Sequence, residues 1–263
     1  MKGDKGTMDR SSADLYDRGV ATLLACWEQF ASGSKDATVE RKPGVAAAVF
    51  PFEPERAVYN NAVLDRSLEA SERRAAVDAL ETAYASAGID KFAAWVHESD
   101  VAMSRELLGR GYTLAEWTRA MGRSLDDLVD APRAVDLAAS DLFDHLQIIG
   151  APELLRGVDP SAFRVVVARL AKERVATAMA FDHDGDCGVF NVVTLEPARR
   201  QGIATAVTHL LLHDAAIRGC TTASLQATEM AVGVYVAAGF TDLGRILEYV
   251  PAGATDQFAS DPP

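Results

Sequence analysis

The period of hydrophobic and polar positions changes several times along the chain, most clearly in its second half. Phe163–Leu170 (FRVVVARL) and residues 175–181 (VATAMAF) are apolar or β-branched runs, separated by the charged turn Ala171-Lys172-Glu173-Arg174. That pattern predicts a hairpin. An Asp-Gly turn signal follows in His183-Asp184-Gly185-Asp186, and residues 188–195 (GVFNVVTL) read as a third strand. The period then lengthens. Apolar residues at Ile203, Ala206, Val207, Leu210, Leu211, Ala215 and Ile217 predict a helix over 202–218, with Gly219 at the position where helices stop. A short strand over 223–226, a short helix over 229–238 and a last strand over 240–250 complete the order β-β-β-α-β-α-β, which is α+β, mixed-sheet material.

The first half repeats this order more faintly. Residues 45–52 and 56–64 read as strands, 73–87 as a helix stopped by Gly88, 92–96 as a strand, and 100–110 as a short helix before Gly111-Tyr112. Gly111-Tyr112 and Gly239-Phe240 lie 128 positions apart, and Gly88 and Gly219 lie 131 apart. Val58-Tyr59-Asn60 likewise matches Val189-Phe190-Asn191. The halves therefore read as two copies of one unit. The polar, proline-bearing stretch 124–134 (SLDDLVDAPRA) is the natural boundary, giving domains at 13–131 and 132–250 with loose ends at 1–12 and 251–263.

Composition narrows the classes of function. The chain has 263 residues, of which 49% are hydrophobic, so real cores are expected. A formal net charge of −12 repels phosphate backbones and anionic membranes, which disfavours nucleic acid and suits a cationic small molecule or amine. Cys26, Cys187 and Cys220 form neither a disulfide framework nor a zinc motif. With a polar N-terminus and no apolar run of membrane-spanning length, the expected location is the cytoplasm. His209 and His213 have the spacing of a metal pair on a helix, but no third ligand accompanies them, and no metal is expected.

Candidate chemistry concentrates in Thr194-Leu195-Glu196-Pro197-Ala198-Arg199-Arg200-Gln201-Gly202-Ile203-Ala204-Thr205. A strand ends there, a basic glycine-containing turn follows, and a long helix begins. The first amides of a helix lack internal partners and carry partial positive charge, so such a start cradles phosphate. Gly202 leaves room for close approach, and Arg199 and Arg200 add charge. The spacing is neither that of a GxxxxGK[ST] loop nor that of a GxGxxG turn.

Arg199-x-x-Gly202-x-Ala204 resembles the pyrophosphate-binding motif R/Q-x-x-G-x-G/A of the GCN5-related N-acetyltransferase (GNAT) superfamily. Residues 225–231 (LQATEMA), Val234-Tyr235 and Gly239-Phe240 are similar to that family's later strand, helix, tyrosine and Gly-Phe ending. The resemblance covers roughly 163–250 well and the first half in outline. It implies tandem mixed-sheet domains flanked by helices, the acyl-CoA N-acyltransferase fold, with a degenerate first copy. It also implies acetyl-CoA as co-substrate. Backbone groups of Val193 and Leu195, flanking Thr194, would pair with the pantetheine arm. Amides from Arg200 through Gln201, Gly202, Ile203 and Ala204 to Thr205 would hold the pyrophosphate. Tyr235 would protonate the leaving thiolate as general acid. The implied reaction is direct attack by a primary amine of a small molecule, without a cysteine nucleophile. A non-enzymatic acyl-CoA-binding protein, a peptide or protein N-acetyltransferase, and a phosphate-binding enzyme of another class stand as alternatives.

The same residues have plainer readings: surface arginines in an ordinary loop, and a Tyr235 ring that packs beside Phe240. Glu196 and Glu229 offer no clear general base, and Asp184 and Asp186 read as turn residues. Asn60 and Asn61 read as hydrogen-bonded turn or strand residues, with the acceptor pocket as an alternative. In the first half Asp65, Glu69 and Glu72 stand where a pyrophosphate loop would be, and Leu107 holds the place of Tyr235. One CoA per chain is therefore expected.

Overall fold

A computed structural model describes residues 10–52, 59–128, 136–151, 155 and 157–252. Its first-half elements are α1 (Arg10–Ser32), β1 (Thr38–Lys42), β2 (Val45–Val49), β3 (Asn61–Leu64), α2 (Ala70–Ser86), β4 (Ala93–His97), α3 (Val101–Gly109) and β5 (Thr113–Ser124). The second half contributes β6 (Asp136–Ser140), α4 (Leu142–Ile148), β7 (Phe163–Leu170), β8 (Glu173–His183), β9 (Asp186–Thr194), α5 (Ile203–Arg218), β10 (Thr222–Ala227), α6 (Val232–Ala237) and β11 (Thr241–Val250). The predicted β-β-β-α-β-α-β series is β7 to β11. Sequence reading did not foresee α1, β1, β5, β6 or α4. Residues 10–12, expected to be loose, already belong to α1. Residues 1–9, 53–58, most of the expected boundary at 124–134 and nearly all of the expected loose tail lie outside the described residues.

Both hairpin turns use left-handed backbone at two successive residues, Ala171 and Lys172 (φ 49° and 77°) and Asp184 and Gly185 (φ 45° and 75°). Such turns match the right-handed twist of the strands they join. Four helix ends share another device. Gly88, Gly111, Gly219 and Gly239 all have φ between 70° and 100°. After each, an amide returns to a carbonyl five residues back: Ile89 to Tyr84 (2.9 Å), Tyr112 to Leu107 (3.1 Å), Cys220 to Ala215 (3.0 Å) and Phe240 to Tyr235 (2.9 Å). The glycines that align the two halves in sequence are thus the ones that close α2, α3, α5 and α6.

The chain divides into two compact units, Met1–Cys26 with Arg119–Leu243, and Trp27–Thr118 with Gly244–Pro263. These differ from the halves 13–131 and 132–250 because the last strand of each half completes the sheet of the other. The end of β5 pairs antiparallel with β10, from Thr222↔Ser124 to Ala227↔Arg119. The end of β11 pairs antiparallel with β4, from Ile246↔His97 to Tyr249↔Ala94. In the first unit the strand order is β6-β7-β8-β9-β10-β5, with β9 and β10 parallel and joined by α5. In the second it is β1-β2-β3-β4-β11, with β3 and β4 parallel and joined by α2.

Alternation along β8 places helices on both faces of the first unit's sheet. Ala176, Ala178 and Ala180 share a core cluster with Val207, Leu211 and Ala215 of α5. The intervening Thr177 meets His145 of α4, whose Nδ1 lies 2.9 Å from the threonine hydroxyl. In the second unit α2 buries Val77, Leu80 and Tyr84, and the Tyr84 ring stacks on Phe92 at 4.2 Å. Of the expected strand 56–64, residues 56–58 lie outside the described residues, and β3 covers Asn61–Leu64. Asn60 is buried in the preceding bend, its Oδ1 accepting from the Phe50 amide (2.9 Å).

Asp186 departs from its reading as a turn residue. It begins β9, is 1% exposed, and accepts hydrogen bonds from the hydroxyls of Thr22 (2.8 Å), Thr222 (2.6 Å) and Ser224 (2.6 Å). A buried carboxylate is tolerated only with such partners. Thr22 lies on α1, which comes close to the sheet through Gly19: a Cβ there would sit 2.9 Å from Cβ of Ser224. Asp186→Ala should cost about 3 kcal/mol, since it removes the acceptor of three hydroxyls at once, those of Thr22 and Ser224 being buried. The check is the urea midpoint, and an unchanged midpoint would count against this role.

Candidate functional site

The site begins where β9 parts from β10. The two pair only from Thr222↔Asp186 to Leu225↔Val189. Immediately beyond, Asn191 is left-handed (φ 50°) and the β8–β9 register slips by one residue between Met179↔Phe190 and Thr177↔Val193. A bulge of this kind bends the strand that carries it. Residues 190–194 of β9 are therefore paired with β8 on one edge and have left β10 on the other.

The amide of Leu195 donates to the Val175 carbonyl at 2.8 Å. Antiparallel ladders direct backbone groups to the partner at every second residue, so Val193, opposite Thr177, also faces β8. The Leu195 amide is thus taken by β8, and its carbonyl accepts from the Ala198 amide at 2.9 Å. Thr194 faces the open edge instead. Its carbonyl accepts from Arg199 Nε at 3.0 Å, and its hydroxyl is buried with no hydrogen-bond partner.

A 3-10 turn over Glu196–Ala198, with Pro197 in its first turn, leads off the strand, and Ala198 is buried in the core cluster. Arg199 is extended, Arg200 left-handed (φ 61°), and Gln201 donates to the Pro197 carbonyl at 3.4 Å. Gly202 (φ 75°) then serves as N-cap of α5 and supplies no side chain to cap it. The first helical bond is Ala206 N–H to the Gly202 carbonyl at 3.0 Å. The amides of Ile203, Ala204 and Thr205 precede it and have no helical acceptor. A Cβ at Gly202 would meet nothing within 4 Å, so the space before these amides is open. Exposed Arg199 and Arg200 flank it. Chemically this is an anion cradle at the positive end of a 16-residue helix.

Tyr235 sits on α6, 6% exposed, in the same apolar cluster as Ala198, Ile203, Val207 and Leu225. Its ring meets Phe240 edge-on, with centroids 6.0 Å apart. Burial pushes the phenol up to about 12, so it keeps its proton at neutral pH and has one to donate. Packing beside Phe240 and a donor role are thus compatible.

Glu196 and Glu229 are both exposed. Sequence reading passed over Glu248, on β11 in the second unit, opposite Trp95 of β4. Burial, and then the charge of Glu116, push its carboxyl up to about 7. The available signal was a single acid between Leu247 and Tyr249, both of which join the second unit's core. His209 is buried, and burial, with Arg123 and His213, holds its imidazole below the ordinary range. Among the described residues no group of three or more His, Cys, Asp or Glu is placed to hold a metal. All three cysteines are buried, and burial raises each thiol, Cys220 to about 11.

The corresponding helix start in the first half is already occupied by its own side chains. Glu69 and Glu72 form a reciprocal capping box on α2, with the Glu69 amide donating to Glu72 Oε2 at 3.0 Å. The Ser67 amide donates to Asp100 Oδ2 at 3.1 Å. Leu107, at the place of Tyr235, is fully buried.

Residues 129–240 match the Acetyltransferase (GNAT) family. Among curated proteins, none matches the chain by sequence. Among solved structures, a GCN5-related N-acetyltransferase from Kribbella flavida is similar over 95% of this chain and 97% of its own, at 19% identity and a TM-score of 0.70. Another, from Sphaerobacter thermophilus, covers 89% and 92% at 14% identity and a TM-score of 0.57. A tandem GNAT protein from the clavulanic acid biosynthesis pathway covers 89% and 94% at 12% identity and a TM-score of 0.55. No helix among the described residues is long and apolar enough to cross a membrane. Residues 129–240 carry the match to the Acetyltransferase (GNAT) family, and the chain has the GNAT fold.

Proposed function

We propose that this chain is a cytoplasmic, acetyl-CoA-dependent N-acetyltransferase that acts on a primary amine of a small molecule. The observation that carries the reading is the uncapped start of α5, open in front of Gly202 and set beside the free edge of β9. These features fit acetyl-CoA. Amides from Arg200 to Thr205 would hold its pyrophosphate, with Arg199 and Arg200 adding charge. The open edge of β9 at Thr194 would take an amide of the pantetheine arm.

When bound, acetyl-CoA supplies an activated acetyl thioester. The chain's part is to hold the donor by its phosphates, align the thioester along β9, and supply a proton. Tyr235 donates that proton to the departing thiolate sulfur. The acceptor amine attacks directly, so no residue needs to carry the acetyl group, in keeping with the buried, raised thiols of Cys187 and Cys220. The net charge of −12 favours approach of a cationic acceptor.

The test is acetyl-CoA-dependent thiol release against a panel of polyamines, aminoglycosides, amino acids and peptides. Turnover with a small amine supports the proposal. Binding of acetyl-CoA without turnover would favour a non-enzymatic acyl-CoA-binding role, and peptide-selective turnover a protein N-acetyltransferase. Absence of acetyl-CoA binding would overturn the reading.

The first half is, on this reading, a degenerate copy without a cofactor site. The α2 start already carries Glu69 and Glu72 on its amides, and these carboxylates would repel a pyrophosphate. Calorimetric titration of the whole chain with acetyl-CoA should therefore give one site per chain. A stoichiometry near two, with the second site surviving Gly202→Val, would refute this account of the first half.

A further inference from the structure

The short helix that carries Tyr235 is held at its C-terminal end by an arginine outside the matched motif. Arg123, the penultimate residue of β5, is 9% exposed. It lies on the same face of the strand as Met121, which belongs to the core cluster around Tyr235. Gly122, between them, faces α1, where a Cβ would approach Leu15 at 3.3 Å.

The Arg123 guanidinium spends its donors on main-chain carbonyls. Nε donates to Ser124 O (2.8 Å), Nη2 to Asp127 O (3.0 Å), and Nη1 to the carbonyl of Ala238. Ala238 is the C-cap of α6. Burying a guanidinium among carbonyls costs more than burying an apolar chain of similar size, so stability alone does not favour arginine here. What arginine supplies is a planar fork that ties three backbone points at once, which lysine cannot do.

That tie acts on a helix with little hold of its own. α6 spans six residues and its N-cap, Ala231, makes no side-chain hydrogen bond. Helices this short are not self-sustaining, so their placement depends on what grips their ends. At the C-terminal end the unpaired carbonyls carry partial negative charge, which a cation complements. Gly239 allows the contact: it is left-handed (φ 83°), and a Cβ there would fall 2.7 Å from Arg123 Nη1. One residue further on, the Phe240 amide closes on the carbonyl of Tyr235 itself. The arginine clamp and the tyrosine are thus ends of one short connection, Tyr235 to Gly239.

We infer that Arg123 is a positioning residue for Tyr235: by gripping the Ala238 carbonyl it fixes α6 and with it the tyrosine hydroxyl. The inference rests on the reading of Tyr235 as general acid. After burial, the charge of Arg123 helps hold the imidazole of His209, on α5, below its ordinary range.

The experiment places Arg123→Met and Arg123→Lys in the parent and in Tyr235→Phe, with circular dichroism and urea unfolding as checks of the fold. Using the most active amine of the panel, Arg123→Met should lower kcat about tenfold, with KM for acetyl-CoA within about twofold of the parent. Arg123→Lys should fall between. In the Tyr235→Phe background the same substitutions should leave kcat within about twofold, because the group they displace is gone. A second readout needs no acceptor. In protein labelled with ¹³Cζ-tyrosine, the Tyr235 signal, identified by its loss in Tyr235→Phe, should shift in Arg123→Lys while those of Tyr84 and Tyr112 stay in place. An equal fall of kcat in both backgrounds, or an unmoved Tyr235 signal in folded Arg123→Lys, would overturn the inference and leave the role of Tyr235 standing. A Tyr235→Phe variant as fast as the parent would overturn both.

Discussion

Gly202→Val is expected to abolish acetyl-CoA binding, by at least ~100-fold, in a protein that still folds. The cost to the folded state is bounded by the local geometry. At φ 75° a residue with a Cβ is strained by about 1–2 kcal/mol, more for a β-branched one. No neighbour opposes the new side chain, because the space is open for 4 Å around. The loop is also pinned on both sides of the change, by Ala198 and Ile203 in the core cluster. The effect on the ligand is of another order. Valine would occupy the approach to the amides of Ile203, Ala204 and Thr205, and charge-assisted hydrogen bonds to such amides are worth about 1.5–3 kcal/mol each. Gly202→Ala separates the two contributions, because it carries the left-handed strain with one methyl group and should weaken binding only in part. Calorimetry showing parent affinity in a folded Gly202→Val protein would sink the assignment of this loop.

The loop was legible in sequence because its chemistry is local. A strand end, a basic turn, a glycine and a helix start lie within a dozen residues, and each is set by the identity of its own residue. The helix-closing glycines were legible for the same reason, since a left-handed C′ position selects glycine wherever it occurs. What escaped depends on partners distant in the chain. Asp186 reads as a turn residue because Asp184-Gly185 beside it truly is one. Its burial is decided by Thr22 on α1 and by Thr222 and Ser224 on β10. Glu248 drew no notice in sequence, because only the fold buries it and brings Glu116 near it. Arg123 falls just before the polar stretch 124–134, where the sequence suggests a boundary. Strand pairing carries it instead into the first unit, between β10 and the end of α6. The choice between Leu195 and Thr194 at the open edge is a matter of parity in the β8–β9 ladder, which the bulge at Asn191 resets. Residue types carry no record of that parity.

Tyr235→Phe should lower kcat by about 10²-fold while changing acetyl-CoA affinity little. The substitution keeps the ring, and with it the edge-on contact with Phe240 and the burial against Ile203 and Val207. Only the hydroxyl is lost, so a purely packing residue would give a variant close to the parent in both stability and rate. The expected loss falls on kcat because the phenol interacts with negative charge that develops on sulfur only as the thioester bond breaks, not in the ground state. The pH dependence follows from burial. The phenol is held up to about 12, above the ordinary tyrosine range, so its proton is present at neutral pH and is lost only as pH rises through that value. The parent's kcat should therefore show no decline from Tyr235 below pH ~10. A loss of rate at lower pH belongs to another group, such as the acceptor amine taking up a proton. In Tyr235→Phe that low-pH limb should persist at a reduced plateau, because removing the donor leaves the acceptor's titration untouched. Single-turnover kinetics would establish that the acetyl-transfer step is being read. If that step runs at the parent rate without the hydroxyl, Tyr235 serves only to pack α6 against the core, and the proton reaches the thiolate from water.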